Sequence, residues 1–262
     1  MLSLTAIVSF LLGLIVGSFL NVCILRIPQK QSIVLPSAHC PKCGHPLKAW
    51  ENIPLFSYMF LRGKCAYCEQ TISFQYPLVE LAGGLLFLAV FLKFKWSFET
   101  PVAFFFVSIL TVLAVIDLEH KLIPNKIILP GLGAGFFFLI LELILRVDFI
   151  PLTGVSSSVA YPLIGLVLGG GLLLIPAMIK TDWMGGGDIK LAAFMGLFLG
   201  GYILLALLLG SLLSAVVGII LILFKKMGRK DTIAFGPFLA LGSLITLFFG
   251  PQIFNFYRLL IR

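Results

Sequence analysis

The chain has 262 residues, of which 60% are hydrophobic and only 11% charged, and its mean hydropathy is +1.12. A soluble domain seldom exceeds about half apolar residues, so this composition excludes a water-soluble globular protein and points to an integral membrane protein. The net charge of +8 comes from 19 Lys and Arg against 11 Asp and Glu; these cations lie between apolar runs, not on one folded polar surface, which argues against nucleic acid as a partner.

A spanning helix needs about 20 apolar residues. Charge-free stretches at 2–25, 100–116, 149–179, 191–224 and 232–257, with weaker apolar stretches near 76–92 and 127–145, predict eight spans. They run roughly over 2–24, 76–92, 100–117, 127–145, 157–179, 189–200, 202–224 and 232–250. The run at 191–224 is too long for one span, and Gly200-Gly201 interrupts it, predicting one short helix and one of ordinary length. No alternating barrel pattern is visible, so the fold class is an all-α polytopic membrane protein. The first segment lacks a basic n-region and is too long for a signal-peptide core, so it reads as a retained span. Cys23 within it reads as a small buried apolar residue. "GLIVG" (13–17), "GLGAG" (131–135) and "GLFLG" (196–200) read as small-residue surfaces for helix packing.

Lysine and arginine set the orientation. With the N-terminus outside, the inner loops hold fourteen cations (Arg26, Lys30, Lys42, Lys48, Arg62, Lys64, Lys121, Lys126, Lys180, Lys190, Lys225, Lys226, Arg229, Lys230) and the outer side five (Lys93, Lys95, Arg146, Arg258, Arg262).

Residues 26–75 form the one extended polar region, on the cytoplasmic side by this topology. They contain Cys40-x2-Cys43 and Cys65-x2-Cys68, with 21 residues between the pairs. Two such pairs supply the four thiolates of a closed tetrahedral zinc site, which would hold the fold and leave no position for chemistry. Two disulfides are the alternative, disfavoured in a reducing compartment. His39 and His45 flank the first pair as substitute ligands.

Acids in or beside spans are candidates for function. Asp117 ends the apolar run "VAFFFVSILTVLAVID" and Asp188 closes "WMGGGD"; both fall at the inner face, on different helices. Two carboxyls at one site share a proton, so one can activate water while the other hydrogen-bonds a scissile carbonyl. The alternative for each is a solvated residue at a helix end, an N-cap in the case of Asp188. Among the other acids, Glu80 sits in the second span, Glu119 is expected to be more exposed, Glu142 falls near the outer face, and Asp182 lies in the loop before Asp188. Gly185, Gly186 and Gly187 either let backbone approach an extended substrate through torsions that side chains block, or only connect two spans.

The motifs together resemble the type 4 prepilin peptidases, bifunctional leader peptidase/N-methyltransferases of type IV pilus, type II secretion and competence systems. "GSFLNVCILRIP" (17–28), the paired CxxC motifs, "ENIPLFSY" (51–58), "QYPLVE" (75–80), "IDLEHKLIPN" (116–125), "GGGDIKLAA" (185–193) and "FGPFLALG" (235–242) occur in family order. The resemblance implies an intramembrane aspartic endopeptidase in the bacterial plasma membrane, with catalytic Asp117 and Asp188 and zinc on Cys40, Cys43, Cys65 and Cys68. It also implies prepilin or pseudopilin substrates cut at the cytoplasmic face, then N-methylation from S-adenosylmethionine, for which Asn21, Glu51 and Glu80 are candidate residues. No Gly-rich loop after a soluble strand is present to hold that cofactor, so a peptidase whose zinc loop serves only folding or docking is the second reading. A polytopic scaffold or transporter is the third, disfavoured because the acids gather at one face and no repeat of motif relates the halves. The expected divisions are a first span (1–25), a cytoplasmic tetracysteine domain (26–75) and a membrane peptidase domain (76–262).

Overall fold

The computed structural model describes residues 2–40, 42–147, 149–150, 152–153, 160–179, 184–225, 228 and 233–260. It divides into two compact units, Met1–Thr100 and Pro101–Arg262. Among the described residues there is no strand, only two isolated bridges, and the architecture is all-α.

The first unit holds α1 (Leu2–Arg26), a 3-10 turn (Ala49–Asn52), the short helix α2 (Phe56–Phe60) and α3 (Gln75–Phe94). Lipid is as apolar as leucine, so helices in a membrane associate through close packing more than through water release. α1 and α3 meet where side chains are missing. A Cβ on Gly13 would stand 2.8 Å from Gly84 Cα and Phe87 Cβ, and one on Gly17 would stand 2.8 Å from Glu80 Cα.

The second unit contains α4 (Glu99–His120), α5 (Asn125–Leu145), α6 (Ala160–Ile179), α7 (Gly186–Leu199), α8 (Ile203–Leu223) and α9 (Gly236–Leu260). Among the described residues seven stretches are long and apolar enough to cross a membrane, and one of them, Gly186–Leu223, holds both α7 and α8, matching the predicted spans at 189–200 and 202–224. The helix break falls where the sequence places it. Gly200 adopts φ +59° and ψ −142°, torsions that a side chain would resist, and a 3-10 turn over Gly200–Tyr202 leads into α8. The predicted first residues of the spans at 157–179 and 232–250 lie outside the described residues, and α9 continues through Pro251 to Leu260.

α7 is the core of this unit: Leu191, Ala192, Phe194, Met195, Leu197, Phe198 and Leu199 are all fully buried. Phe194 and Phe198 stack with Phe106 of α4, ring centroids 4.9 to 5.5 Å apart. Gly131 and Gly135 of α5 fit against Phe194 and Phe198, and Gly165 and Gly169 of α6 lie on the α7 backbone itself. All three small-residue motifs therefore pack helices. At its far end, α7 is finished by the chain that follows α5. Leu152 N–H donates to Phe198 O (2.8 Å) and the Thr153 hydroxyl to Leu199 O (3.3 Å). Glu142 holds that chain in place, its Oε2 accepting the Phe149 and Ile150 N–H groups at 3.2 and 3.1 Å. A carboxylate expected merely near the outer face is thus buried and structural.

A Cβ at Gly165 would lie 2.6 Å from Gly200 O and closer still to Gly196 O, whereas one at Gly171 meets nothing within 4 Å. Gly165→Leu is expected to cost about 1–3 kcal/mol or more through overpacking. The check is thermal unfolding in detergent, with Gly171→Leu expected to match the parent.

Candidate active site and metal centre

Asp117 lies one turn before the end of α4 and is only 5% exposed. Its Oδ2 accepts the backbone N–H of Gly236 at 2.8 Å. That amide belongs to the first residue of α9, one of the donors a helix leaves unpaired at its start, at the positive end of the helix dipole. A Cβ on Gly236 would stand 2.8 Å from the same carboxylate oxygen, so this contact requires glycine. Asp188 sits in the first turn of α7, its N–H donating to Gly185 O at 3.0 Å. Its carboxyl is in Coulomb range of Asp117. Two further contacts fix the start of α7: Gly187 lies against Ile123, where a Cβ would come within 2.8 Å, and Lys190 Nζ donates to Asn125 Oδ1 at 2.8 Å. The short 121–124 connection after Asp117 and the α7 start after the glycines are thereby docked on each other.

The three glycines differ. Gly185 caps α7 with φ −68°, Gly186 faces open space and Gly187 permits the Ile123 contact; none uses a left-handed torsion. Of the remaining acids, Glu119 is exposed beside His120, Glu142 belongs to the far end of α7, and Asp182 lies outside the described residues. Gly236 stands in "FGPFLALG", but its pairing across 119 positions leaves no local periodicity from which to read it. Chemically, two carboxyls that feel each other's charge do not readily ionise together, so such a pair can offer a base and an acid at once.

The first unit carries two knuckles of one design. Cys40 N–H donates to His45 O and Gly44 N–H to Cys40 O; Cys65 N–H donates to Gln70 O and Glu69 N–H to Cys65 O. The fifth residue of each turn is left-handed, Gly44 at φ +70° and Glu69 at φ +54°. The four sulfurs lie within 4.8 Å of one another, with Cys40 and Cys68 at 3.9 Å, and none is in a disulfide. Tetrahedral zinc with Zn–S bonds of about 2.3 Å sets its sulfurs roughly 3.8 Å apart, so the cluster fits a closed S4 site. Backbone N–H groups of Cys68 and Tyr67 pull the Cys65 thiol down to about 7. For Cys68 the Gln70 amide favours the thiolate, but burial and the neighbouring thiols outweigh it and hold the group at about 11. His39 is bonded to Ser37 O and His45 stacks on Tyr67, so neither joins the sulfur cluster.

Asn21 and Glu80 lie on the α1–α3 pair. Asn21 Nδ2 donates to Tyr76 O (3.0 Å), and Glu80 Oε2 accepts the N–H of Leu55 (2.8 Å). Glu51 is elsewhere, in the 3-10 turn: 5% exposed, with one oxygen accepting Lys48 N–H and Oε1 lacking a partner among the described residues. Among the described residues no hydrogen bond joins Glu51 to Asn21 or Glu80. Arg26, passed over as a loop cation, is buried and donates to the carbonyls of Ser32, Pro36 and Ser37, tying the incoming loop to the end of α1.

Comparison with known proteins supplies the family. Residues 11–94 match the Bacterial Peptidase A24 N-terminal domain and residues 104–224 the Type IV leader peptidase family. Three relatives are each named prepilin leader peptidase/N-methyltransferase. The Myxococcus xanthus protein is 42% identical over 75% of this chain and 56% of its own length, so the chain spans little more than half of that relative. The Bacillus subtilis protein is 36% identical over 95% of this chain and 96% of its own. The Pseudomonas aeruginosa protein is 35% identical over 95% and 92%. No solved structure matches. With two family regions matched in order and relatives at 35% and 36% identity aligned along almost their whole lengths, the chain belongs to the Type IV leader peptidase family.

Proposed function

We propose that the chain is a membrane aspartic endopeptidase that removes the leader from prepilins or pseudopilins and then N-methylates the new terminus. The observation that carries the peptidase reading is the pairing of two acids from different helices: Asp117, held by the Gly236 amide, and Asp188, set at the docked start of α7. The Gly236 N–H donated to Asp117 favours this carboxyl as the ionised partner. In hydrolysis it takes a proton from water as the water oxygen bonds to the scissile carbonyl carbon. Asp188, carrying the shared proton, donates it to the carbonyl oxygen. The tetrahedral diol then collapses, its C–N bond breaking as a proton passes to the leaving amine. Gly185 and Gly186, free of side chains, leave room for an extended substrate backbone beside Asp188.

The name carried by the relatives, prepilin leader peptidase/N-methyltransferase, supports methylation, and S-adenosylmethionine would supply a methyl group on a sulfonium. The accepting α-amine must first lose its ammonium proton. Glu51, with a buried oxygen lacking a partner, is suited to receive a donor of that kind; Asn21 and Glu80 serve by fixing the α1–α3 pair and the loop between them. Zinc on Cys40, Cys43, Cys65 and Cys68 holds the two knuckles and performs no step. The excess of inner-loop Lys and Arg supports a plasma-membrane protein with residues 26–75 and both aspartates facing the cytoplasm. In this division residues 1–25 are the first span, 26–75 the metal domain and 76–262 the peptidase domain.

Purified protein mixed with a prepilin is expected to release the leader, and Asp117→Asn or Asp188→Asn to lower the rate by about 10²-fold or more; cleavage surviving both substitutions overturns the dyad. Gly236→Ala, which displaces the Asp117 carboxyl, is expected to lower kcat by up to about 10²-fold with little change in KM. With S-adenosylmethionine supplied, mass spectrometry of the mature product should show one added methyl group. Glu51→Gln should lose that mass and keep cleavage. Metal analysis of Cys43→Ser/Cys65→Ser should show loss of the zinc found in the parent.

A further inference from the structure

The short helix α2 presents an apolar face that neither proposed reaction uses. Phe56, Met59 and Phe60 stand at i, i+3 and i+4, on one side of the helix, and are 54%, 73% and 80% exposed. Large apolar side chains grouped at a surface mark an interaction site, and three observations identify what covers this one.

The first is depth. The Leu55 N–H at the start of α2 is bonded to Glu80, which lies five residues into α3, about 8 Å along its axis from Gln75. Tyr58 of α2 meets Phe74, the residue before α3, edge-on at 6.4 Å. α3 is itself long and apolar enough to cross a membrane, so α2 lies level with the first turns of a spanning helix. The second is orientation. Leu55 has φ +62°, a left-handed torsion that bulky residues rarely adopt, and the Glu80 bond holds it there, fixing the direction in which α2 leaves the loop. The third is charge. Exposed Arg62 and Lys64 follow α2 directly, and residues 26–75 carry six cations (Arg26, Lys30, Lys42, Lys48, Arg62, Lys64) against two acids (Glu51, Glu69). Apolar side chains flanked by cations at headgroup depth match the chemistry of an anionic lipid surface.

We propose that α2 is an interfacial helix whose Phe56–Met59–Phe60 face inserts at the headgroup–acyl boundary of an anionic leaflet, with Arg62 and Lys64 against lipid phosphates. The metal domain is thereby held flat on the bilayer. This inference is independent of either catalytic reading.

The test uses the full-length chain in lipid nanodiscs with a photoreactive benzoylphenylalanine at position 60, or separately at 59, and at exposed Gln70 as control. Each variant must match the parent in thermal unfolding; position 59 serves if position 60 disturbs the fold. Irradiation in discs containing phosphatidylglycerol is expected to give phospholipid adducts at 60 and 59 but not at 70. Arg62→Glu/Lys64→Glu should reduce the adduct at 60 in those discs and leave it unchanged in phosphatidylcholine discs. Adducts no more abundant at 60 and 59 than at 70 overturn the proposal. So does a cross-linked dimer, or an adduct to added prepilin, in place of lipid.

Discussion

A helix of fourteen residues is about 21 Å long and cannot cross a hydrocarbon core about 30 Å thick. α7 is such a helix, and most of what surrounds it answers that shortfall. Its last carbonyls cannot be left in lipid, where an unmatched polar group costs several kcal/mol. Leu152, Thr153 and Gly200 meet them, and Glu142 holds the segment that brings Leu152 and Thr153 there. α6 approaches through glycine on one side, and three phenylalanines fill another. With its far end anchored, α7 has little freedom to slide, and its first turn presents Asp188 at a defined level.

The other aspartate is positioned by a different means. Asp117 is continuous with a long helix, and its carboxyl is oriented by a third helix through the Gly236 amide. The pair is thus assembled from α4, α7 and α9. Unlike the acids, the metal-site residues come from local structure. Each cysteine knuckle is a closed set of backbone bonds within about six residues, repeated with Gly44 in one copy and Glu69 in the other at the left-handed position. Such a unit needs only a second pair of sulfurs nearby to complete a four-sulfur cage.

That contrast explains what the sequence revealed. Spans, the break at Gly200-Gly201, the cysteine pairs and the small-residue packing motifs depend on composition or on spacings of a few residues, and all were legible. The two acids could be named as candidates because charge is rare in apolar runs. Their orientation could not, since the Gly236 bond joins positions 119 apart. Glu142 illustrates the same limit: its distance from the inner face was readable, but not the loop that folds back onto it. The glycines before Asp188 could be read either as supplying unusual torsions for a substrate or as a plain connection between spans; the structure shows absent volume at Gly187 against Ile123 and no left-handed torsion. α2 escaped notice because five residues are too few to show a period.

The stacked rings of Phe106, Phe194 and Phe198 have a meaning beyond packing. Phe194 and Phe198 follow Asp188 by six and ten residues, about 9 and 15 Å along α7. The proposed hydrolysis needs water at the aspartates, and a file of water continuing past them would short-circuit the ion gradients that energise a membrane. The rings of Phe106, Phe194 and Phe198 carry no hydroxyl or amide to hold such a file, and Phe149, Ile150 and Leu152 are buried as well. Under the proposed function, the contacts that fix α7 would also keep the site's water from crossing the membrane.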